Sequence, residues 1–464
     1  MGLTTIIRAF GIALVILGLA MVLPIVVALA IHDPVVADYF FAACITLFCG
    51  AGCIAISAGR PAPTDIRGAL LIVLLWWVVA PIFGALPFVV SGEPFIEAYF
   101  ESVSALTTTG AWLLEGEARS SVPGMLWRAI MQWIGGLGSL AIAAAIFVRP
   151  VFVGIDTLLP PFSRGERDSY LHSIKNAVFS FFGVYVLITT ICWVALLLAD
   201  SPVLDAGVTA LSVVASGGFV PGFHGQEVYS PHAPGVLLPF LFLSGANFIL
   251  IVRFLRMRQQ NLRDIETGAY AIIIVCVAFL LWLLSGAGDL DRLPAQFFNA
   301  VSLMSTNGYI IGERPSLTVA LVAVIIGGSA VSTAGGLKVL RWIVIMRRTG
   351  EELQNLIHPS AVLGRKSVAN ELGVWIHFLM FTLVLGALML FLTAGGYSFE
   401  LAAAGAVGVL SNAGPVIHLT QEGAVGYQVF TGTPLKIVLI MGMILGRLEG
   451  VAALALINRS FWRS

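Results

Sequence analysis

The chain has 464 residues, 58% of them hydrophobic and only 11% charged, with 25 basic residues balancing 25 acidic ones. Soluble domains carry roughly 25% charged residues, so this chain lacks the polar supply to cover a water-exposed surface. That excludes a soluble enzyme, a disordered protein and a nucleic-acid binder driven by a basic surface, and leaves a polytopic membrane protein.

A membrane helix needs about 20 mostly apolar residues. In chain order such runs fall at roughly 9–31, 36–58, 69–90, 125–148, 174–199, 234–252, 269–286, 317–345, 374–394 and 435–457, which makes ten. Arg8 and the Ala28-Leu29-Ala30 triplet would suit a signal peptide. The first apolar stretch, of about 22 residues, is longer than the usual 7–15, so a retained anchor is expected. The five cysteines, Cys44, Cys49, Cys53, Cys192 and Cys276, lie inside apolar runs and indicate neither a disulfide framework nor a metal pair.

Lys and Arg set the orientation. With the N-terminus inside, 20 of the 25 basic residues face the inner side, counting Lys338, Arg341 and Arg447 within or at the ends of spans. Arg119, Arg128, Arg292, Arg314 and Lys436 remain outside, while acidic residues lean outward by 15 to 10.

The long outer gaps are not ordinary loops. Each opens with an apolar stretch too short to span and reaches a glycine turn. These stretches are Phe95 to Ala111 (FIEAYFESVSALTTTGA), Val203 to Phe219 (VLDAGVTALSVVASGGF), Leu293 to Tyr309 (LPAQFFNAVSLMSTNGY) and Phe399 to Pro415 (FELAAAGAVGVLSNAGP). Aligned on Gly110, Gly218, Gly308 and Gly414, they match at several offsets: Ser104, Ser212, Ser302 and Gly408 stand six residues before the glycine. A module of helix, short re-entrant helix, glycine turn and helix thus recurs four times. Around one axis the four turns would form a pore.

The expected fold is therefore an all-α polytopic membrane protein. Four helix–pore-loop–helix repeats stand in pseudo-fourfold arrangement around a central pore (61–150, 151–260, 261–350 and 351–464), preceded by two extra N-terminal transmembrane helices within 1–60. Non-helical backbone at membrane depth is tolerated where it lines a water-filled cavity or is buried in protein. Carbonyl dipoles in such a turn replace an ion's hydration shell, and glycine accepts the positive φ that aims them. The candidate filter residues are Thr107, Thr108, Thr109 and Gly110; Ala215, Ser216, Gly217 and Gly218; Ser305, Thr306, Asn307 and Gly308; and Ser411, Asn412, Ala413 and Gly414.

These segments resemble the four filters of the TrkH/TrkG/KtrB/HKT superfamily of potassium transporters. Gly327 to Arg341 (GGSAVSTAGGLKVLR) is similar to its third-repeat inner-helix motif, and Gln132 to Gly138 (QWIGGLG) and Gly446 to Glu449 (GRLE) are also similar. The two extra N-terminal helices place the chain nearer TrkH/TrkG than the shorter KtrB proteins. The resemblance implies potassium as substrate, no bound cofactor, a homodimer in the bacterial inner membrane, and a cytosolic nucleotide-binding ring of the TrkA type. Four filter glycines go with potassium, a first-repeat serine with sodium. Trp112 and Val331 depart from the pattern, standing where a small residue and a glycine are common.

The eighth run is interrupted by Gly327, Gly328, Ser332, Thr333, Gly335 and Gly336, a composition that weakens a helix. By resemblance it is an intramembrane gating loop, although close packing through small residues would explain the same composition. Lys338 beyond it would snorkel inward or repel cations. Arg447, a charge inside the tenth run, is expected near the pore below the filter. His224 and His418 read as solvated loop residues, and Glu101 as bonded to a neighbouring backbone group or hydroxyl. Gly135-Gly136-Leu137-Gly138 reads as helix packing rather than a nucleotide loop, since no strand precedes it. No Walker, HExxH or GxSxG motif is present, so no enzyme is expected. The competing reading is a cation secondary transporter coupled to protons or sodium, which would show inverted repeats and midplane carboxylates. The inner basic loops would dock an acidic surface or anionic lipid.

Overall fold

The computed structural model describes residues 3–57, 66–113, 121–144, 170–219, 232–257, 264–286, 289–357 and 372–448. The described residues are helical apart from turns and short irregular segments. Six helical stretches are long and apolar enough to cross a membrane: Thr4–Ala30, Val36–Ile56, Arg67–Val90, Ile174–Leu198, Ile265–Leu284 and Gly373–Ala394. Their exposed residues are large and apolar, as at Phe48 (80% exposed) and Leu198 (82%), which suits contact with lipid tails.

The two N-terminal helical stretches, α1 (Leu3–Ala20) continued by α2 (Val22–Ala30), and α3 (Val36–Ile56), pack side by side. Gly11 and Gly50 lie at their crossing, each within 3.0 Å of the other helix's carbonyl when a Cβ is added. Small residues let two membrane helices approach that closely.

Four units follow. The first runs from α4 (Ile66–Leu74) through a π-turn at Leu75–Val79 into α5 (Ala80–Val90), then pore helix α6 (Phe95–Leu106) and α7 (Val122–Ile142). The second has α8 (Tyr170–Leu198), pore helix α9 (Val203–Val214), α10 (Ala233–Gly245) and α11 (Phe248–Met257). The third has α12 (Ile265–Leu284), pore helix α13 (Leu293–Met304), α14 (Leu317–Ile326) and α15 (Val339–Ile357). The fourth has α16 (Leu372–Ala394), pore helix α17 (Phe399–Leu410) and α18 (Thr433–Arg447).

All four pore helices have 12 residues. At 1.5 Å per residue that is about 18 Å, a little over half the hydrocarbon thickness. Proline at or beside the start of three of them and the Ser398 hydroxyl at the fourth set their beginnings.

Two expected spans differ from straight helices. The run at 234–252 bends by 105° between α10 and α11. The run at 317–345 is interrupted by the irregular segment 327–338. The two breaks satisfy each other. The Ser329 amide donates to Gly245 O (2.8 Å), Phe248 N to Val331 O (2.7 Å) and Thr333 N to Ser244 O (3.2 Å). Apolar run length alone reads 234–252 as one span, whereas the glycine cluster at 327–336 already marks the second break.

Helices cross closest where glycine faces a pore-helix end. A Cβ on Gly135 of α7 would strike the Leu106 backbone, with its Cα 3.1 Å away, whereas a Cβ on Gly386 of α16 meets nothing within 4 Å. Gly135→Ala is therefore expected to cost about 1–3 kcal/mol by overpacking, and Gly386→Ala to be neutral or stabilising by up to about 1 kcal/mol. Thermal unfolding of the detergent-solubilised variants checks both signs.

Candidate functional site

Each pore helix ends in the same device. The residue after the cap takes a left-handed conformation: Thr108 (φ 55), Ser216 (φ 56), Thr306 (φ 57) and Asn412 (φ 51). The next amide reaches back five residues, Thr109 N to Ser104 O, Gly217 N to Ser212 O, Asn307 N to Ser302 O and Ala413 N to Gly408 O, at 2.8–3.0 Å. This is the Schellman end of a helix, with a polar side chain where glycine is usual. It turns the chain sharply and leads into the glycine of each turn.

The four turns close a ring. A Cβ on Gly110 would run into Gly217 O, one on Gly218 into Asn307 O, and one on Gly308 would lie 2.8 Å from Pro415 Cβ. One on Gly414 would lie 2.8 Å from Thr109 O, and Gly414 N donates to that oxygen at 2.6 Å. First, second, third and fourth turns therefore touch in order, and the fourth returns to the first.

The ring is not fourfold in detail. Gly110, Gly218 and Gly308 have φ of 72, 64 and 72, but Gly414 is not among the positive-φ residues and begins a 3₁₀ turn, Gly414–Leu419. The expected positive φ at all four glycines therefore holds at three. At Gly414 the requirement is close approach, because the neighbouring turn's backbone occupies the space a side chain would need.

The left-handed residues carry side chains because those side chains are used. Ser216 Oγ and Thr333 Oγ1 are 2.7 Å apart, and Gly335 N donates to Thr306 Oγ1 at 2.9 Å. Arg447 Nη2 donates to Thr108 Oγ1 and to Thr333 O (3.0 Å), while its Nε donates to Thr107 O (2.5 Å). The fourth, Asn412, donates through Nδ2 to Thr109 Oγ1 (2.9 Å) and Met443 O (3.1 Å), and Gly336 N donates to Ser411 O (3.1 Å). One segment, 327–338, thus bonds to the second, third and fourth turns directly and to the first through Arg447.

That segment is pinched at its base, where Leu337 N donates to Ile325 O (2.8 Å) and Val339 N to Gly328 O (2.9 Å). Gly327 (φ 73) and Gly336 (φ 76) face each other there, and a Cβ on either would come within 2.9 Å of the other's Cα. Lys338 does not snorkel. It is 6% exposed, and its Nζ turns back onto Ala334 O and the Ser332 carbonyl and hydroxyl.

Charge reasoning missed three residues. Arg128, expected on the outer side, is 1% exposed and pairs with equally buried Glu101 at 2.7 Å. Glu101 also accepts the Leu113 amide at 2.6 Å, in line with the backbone partner expected for it. Glu266 is 2% exposed, accepting Ala330 N (2.5 Å) from the irregular segment and Asn247 Nδ2 (3.2 Å) from the α10–α11 break. His418 is not solvated: it is 8% exposed and stacks on Trp112, ring centroids 4.8 Å apart. Trp112 also meets Phe219 edge-on at 6.0 Å and so ties three turns together. His224 lies outside the described residues. Nothing in the helical spacing marked Arg128, Glu266 or His418, because each finds its partner across the tertiary structure.

Four pore helices ending on one ring of turns, with an irregular intramembrane segment fastened to that ring, define a four-repeat pore-helix membrane protein. The family model described as "TrkH: Cation transport protein" matches residues 40–283. The chain is 32% identical to the Trk system potassium uptake protein TrkH of Salmonella typhimurium over 86% of each chain. It is 27% identical to Trk system potassium uptake protein TrkG of Escherichia coli over 96% of each. The crystal structure of the potassium transporter TrkH from Vibrio parahaemolyticus superposes with a TM-score of 0.87, at 30% identity and full coverage of both chains. The chain belongs to the TrkH family.

If Arg447 latches the segment to the first turn, Arg447→Gln will speed amide exchange across 327–338 while leaving the pore helices protected. Hydrogen exchange read by mass spectrometry checks it, and unchanged protection of that segment would sink the latch.

Proposed function

We propose that this chain carries potassium into the cell across the bacterial cytoplasmic membrane, through a pore whose selectivity filter is the ring of four turns. The observation that carries this reading is the closed ring together with the single segment fastened beneath it. The names of the relatives, potassium uptake proteins with matching length and fold, support the same substrate.

The filter comprises residues 107–110, 215–218, 305–308 and 411–414. The pore helices aim their C-terminal partial negative charge at the ring, which favours a cation there. The segment 327–338 is the gate, in its closed position. Arg447 and Lys338 place two positive charges under the filter, and both discourage a cation from resting there until the segment moves. No covalent chemistry is needed, potassium is cargo rather than cofactor, and the chain is not an enzyme. Units 61–150, 151–260, 261–350 and 351–464 act as the four pore repeats behind the N-terminal pair in 1–60.

The orientation follows the basic residues, with the filter side outside and the N-terminus in the cytoplasm. The chain works as a homodimer with a cytosolic nucleotide-binding ring of the TrkA type. Arg253, Arg341, Arg347 and Arg348 supply the docking charge on the inner side. Co-purification with such a ring, lost on neutralising these arginines, tests that contact.

Uptake by a potassium-deficient cell tests the filter. Gly110→Ser puts a side chain at φ 72 against the Gly217 carbonyl, and the expected result is a fall of about tenfold or more in potassium-over-sodium preference, the equivalent of about 1.4 kcal/mol. An unchanged preference counts against the assignment. In liposomes, potassium flux without a proton or sodium gradient is expected, and its absence would favour the coupled transporter.

A further inference from the structure

The four filter turns are not held equally from behind. Nine residues before the filter glycine stand Glu101, Thr209, Asn299 and Gly405; three after it stand Leu113, Pro221, Ile311 and Ile417. In the first and third repeats these two positions bond across the outer limb of the turn. Leu113 N donates to Glu101 Oε1 at 2.6 Å. Ile311 N donates to Asn299 Oδ1 at 2.9 Å, and Asn299 Nδ2 returns a bond to Ile311 O at 3.1 Å. The second and fourth repeats cannot build this brace. Pro221 has no amide hydrogen to give. Gly405 has no side chain, and the space a Cβ would take lies 2.8 Å from the Phe430 ring. The braces therefore stand in alternate repeats, on opposite sides of the ring.

The first brace is the stronger and carries charge. Glu101 Oε2 pairs with Arg128 Nε at 2.7 Å, both side chains 1% exposed. A charged acceptor holds an amide more tightly than a neutral one does. Arg128 in turn lies over Phe88 (4.8 Å) and Phe219 (5.6 Å), so the pair reaches the second turn. The Phe219 amide donates to Ser212 Oγ (2.7 Å), and its carbonyl accepts from Tyr309 of the third turn (3.1 Å). The first brace is thus linked through Arg128 and Phe219 to the third turn.

Discrimination by a carbonyl filter depends on where the oxygens sit and how far they yield. We propose that Glu101, paired with Arg128, and Asn299 are positioning residues that hold the outer limbs of the first and third turns and so set the preference for potassium over sodium. This rests on the potassium-pore reading above. Neither residue need touch the ion; each acts through the backbone three residues beyond the filter glycine.

The test separates the brace from its charge. Removing one partner of a buried pair strands the other, so the charges are removed together. In Glu101→Gln with Arg128→Leu the glutamine carbonyl can still accept Leu113 N; in Glu101→Ala with Arg128→Leu nothing can. Uptake of potassium and sodium by deficient cells gives the preference, and size-exclusion of the extracted protein gives the amount folded. The alanine pair is expected to lose about tenfold in preference, the factor matching one lost buried hydrogen bond. The glutamine pair is expected to recover most of it. If the alanine pair does not fold, Asn299→Ala decides, with the same tenfold loss expected. A lower maximal uptake at unchanged preference in the alanine pair, or in Asn299→Ala where that decides, marks a merely structural role and overturns the proposal. A wild type without potassium preference would instead sink the pore reading itself.

Discussion

Backbone amides and carbonyls that leave the helical pattern at membrane depth must find partners within the protein, since lipid offers none. Among the described residues the pattern breaks at the four glycine turns, the α10–α11 bend and the segment 327–338, and these breaks lie together. Each is satisfied by another. The bend and the segment exchange three backbone bonds, the segment bonds to three of the turns, and the first and fourth turns share the Gly414–Thr109 contact. Irregular backbone is therefore gathered in one place, and that place is the site.

The same constraint accounts for the residues at the left-handed positions. Glycine would relieve the conformational cost, which is about 1–2 kcal/mol for other residues. Thr108, Ser216 and Thr306 accept that cost and use their hydroxyls to bind Arg447, Thr333 and the Gly335 amide. The turns and the segment 327–338 thus share bonds, so displacement of the segment must alter the support under the turns.

Charges are scarce, and the buried ones serve the irregular backbone. Glu101 holds the limb after the first turn, Glu266 holds Ala330 in the segment, and Arg447 spans turn and segment. An ionised group in an apolar interior is tolerable only when fully partnered. Free amides and carbonyls at the breaks supply partners that a regular helix would not. The zero net charge of the whole chain conceals these interior braces.

The sequence by itself determined the class, the recurrence of a short helix before a glycine turn, and the positions of those turns. These are local properties: apolar run length, an offset pattern of small residues, and the breaks that glycine and proline impose. It also marked Arg447 and the segment 327–338 as exceptional, because a charge or a glycine cluster inside an apolar run stands out without reference to anything else. Tertiary structure alone decided that the run at 234–252 bends, that Gly414 differs from its three counterparts, that Lys338 turns back on its own loop, and that Arg128 and His418 are interior. Each of these depends on a partner far along the chain: Val331 for Phe248, Thr109 for Gly414, Glu101 for Arg128 and Trp112 for His418. Periodicity records which face of a helix is apolar. It does not record which distant group will be waiting for an amide, a guanidinium or an imidazole, and in a membrane that pairing decides where each of them can stand.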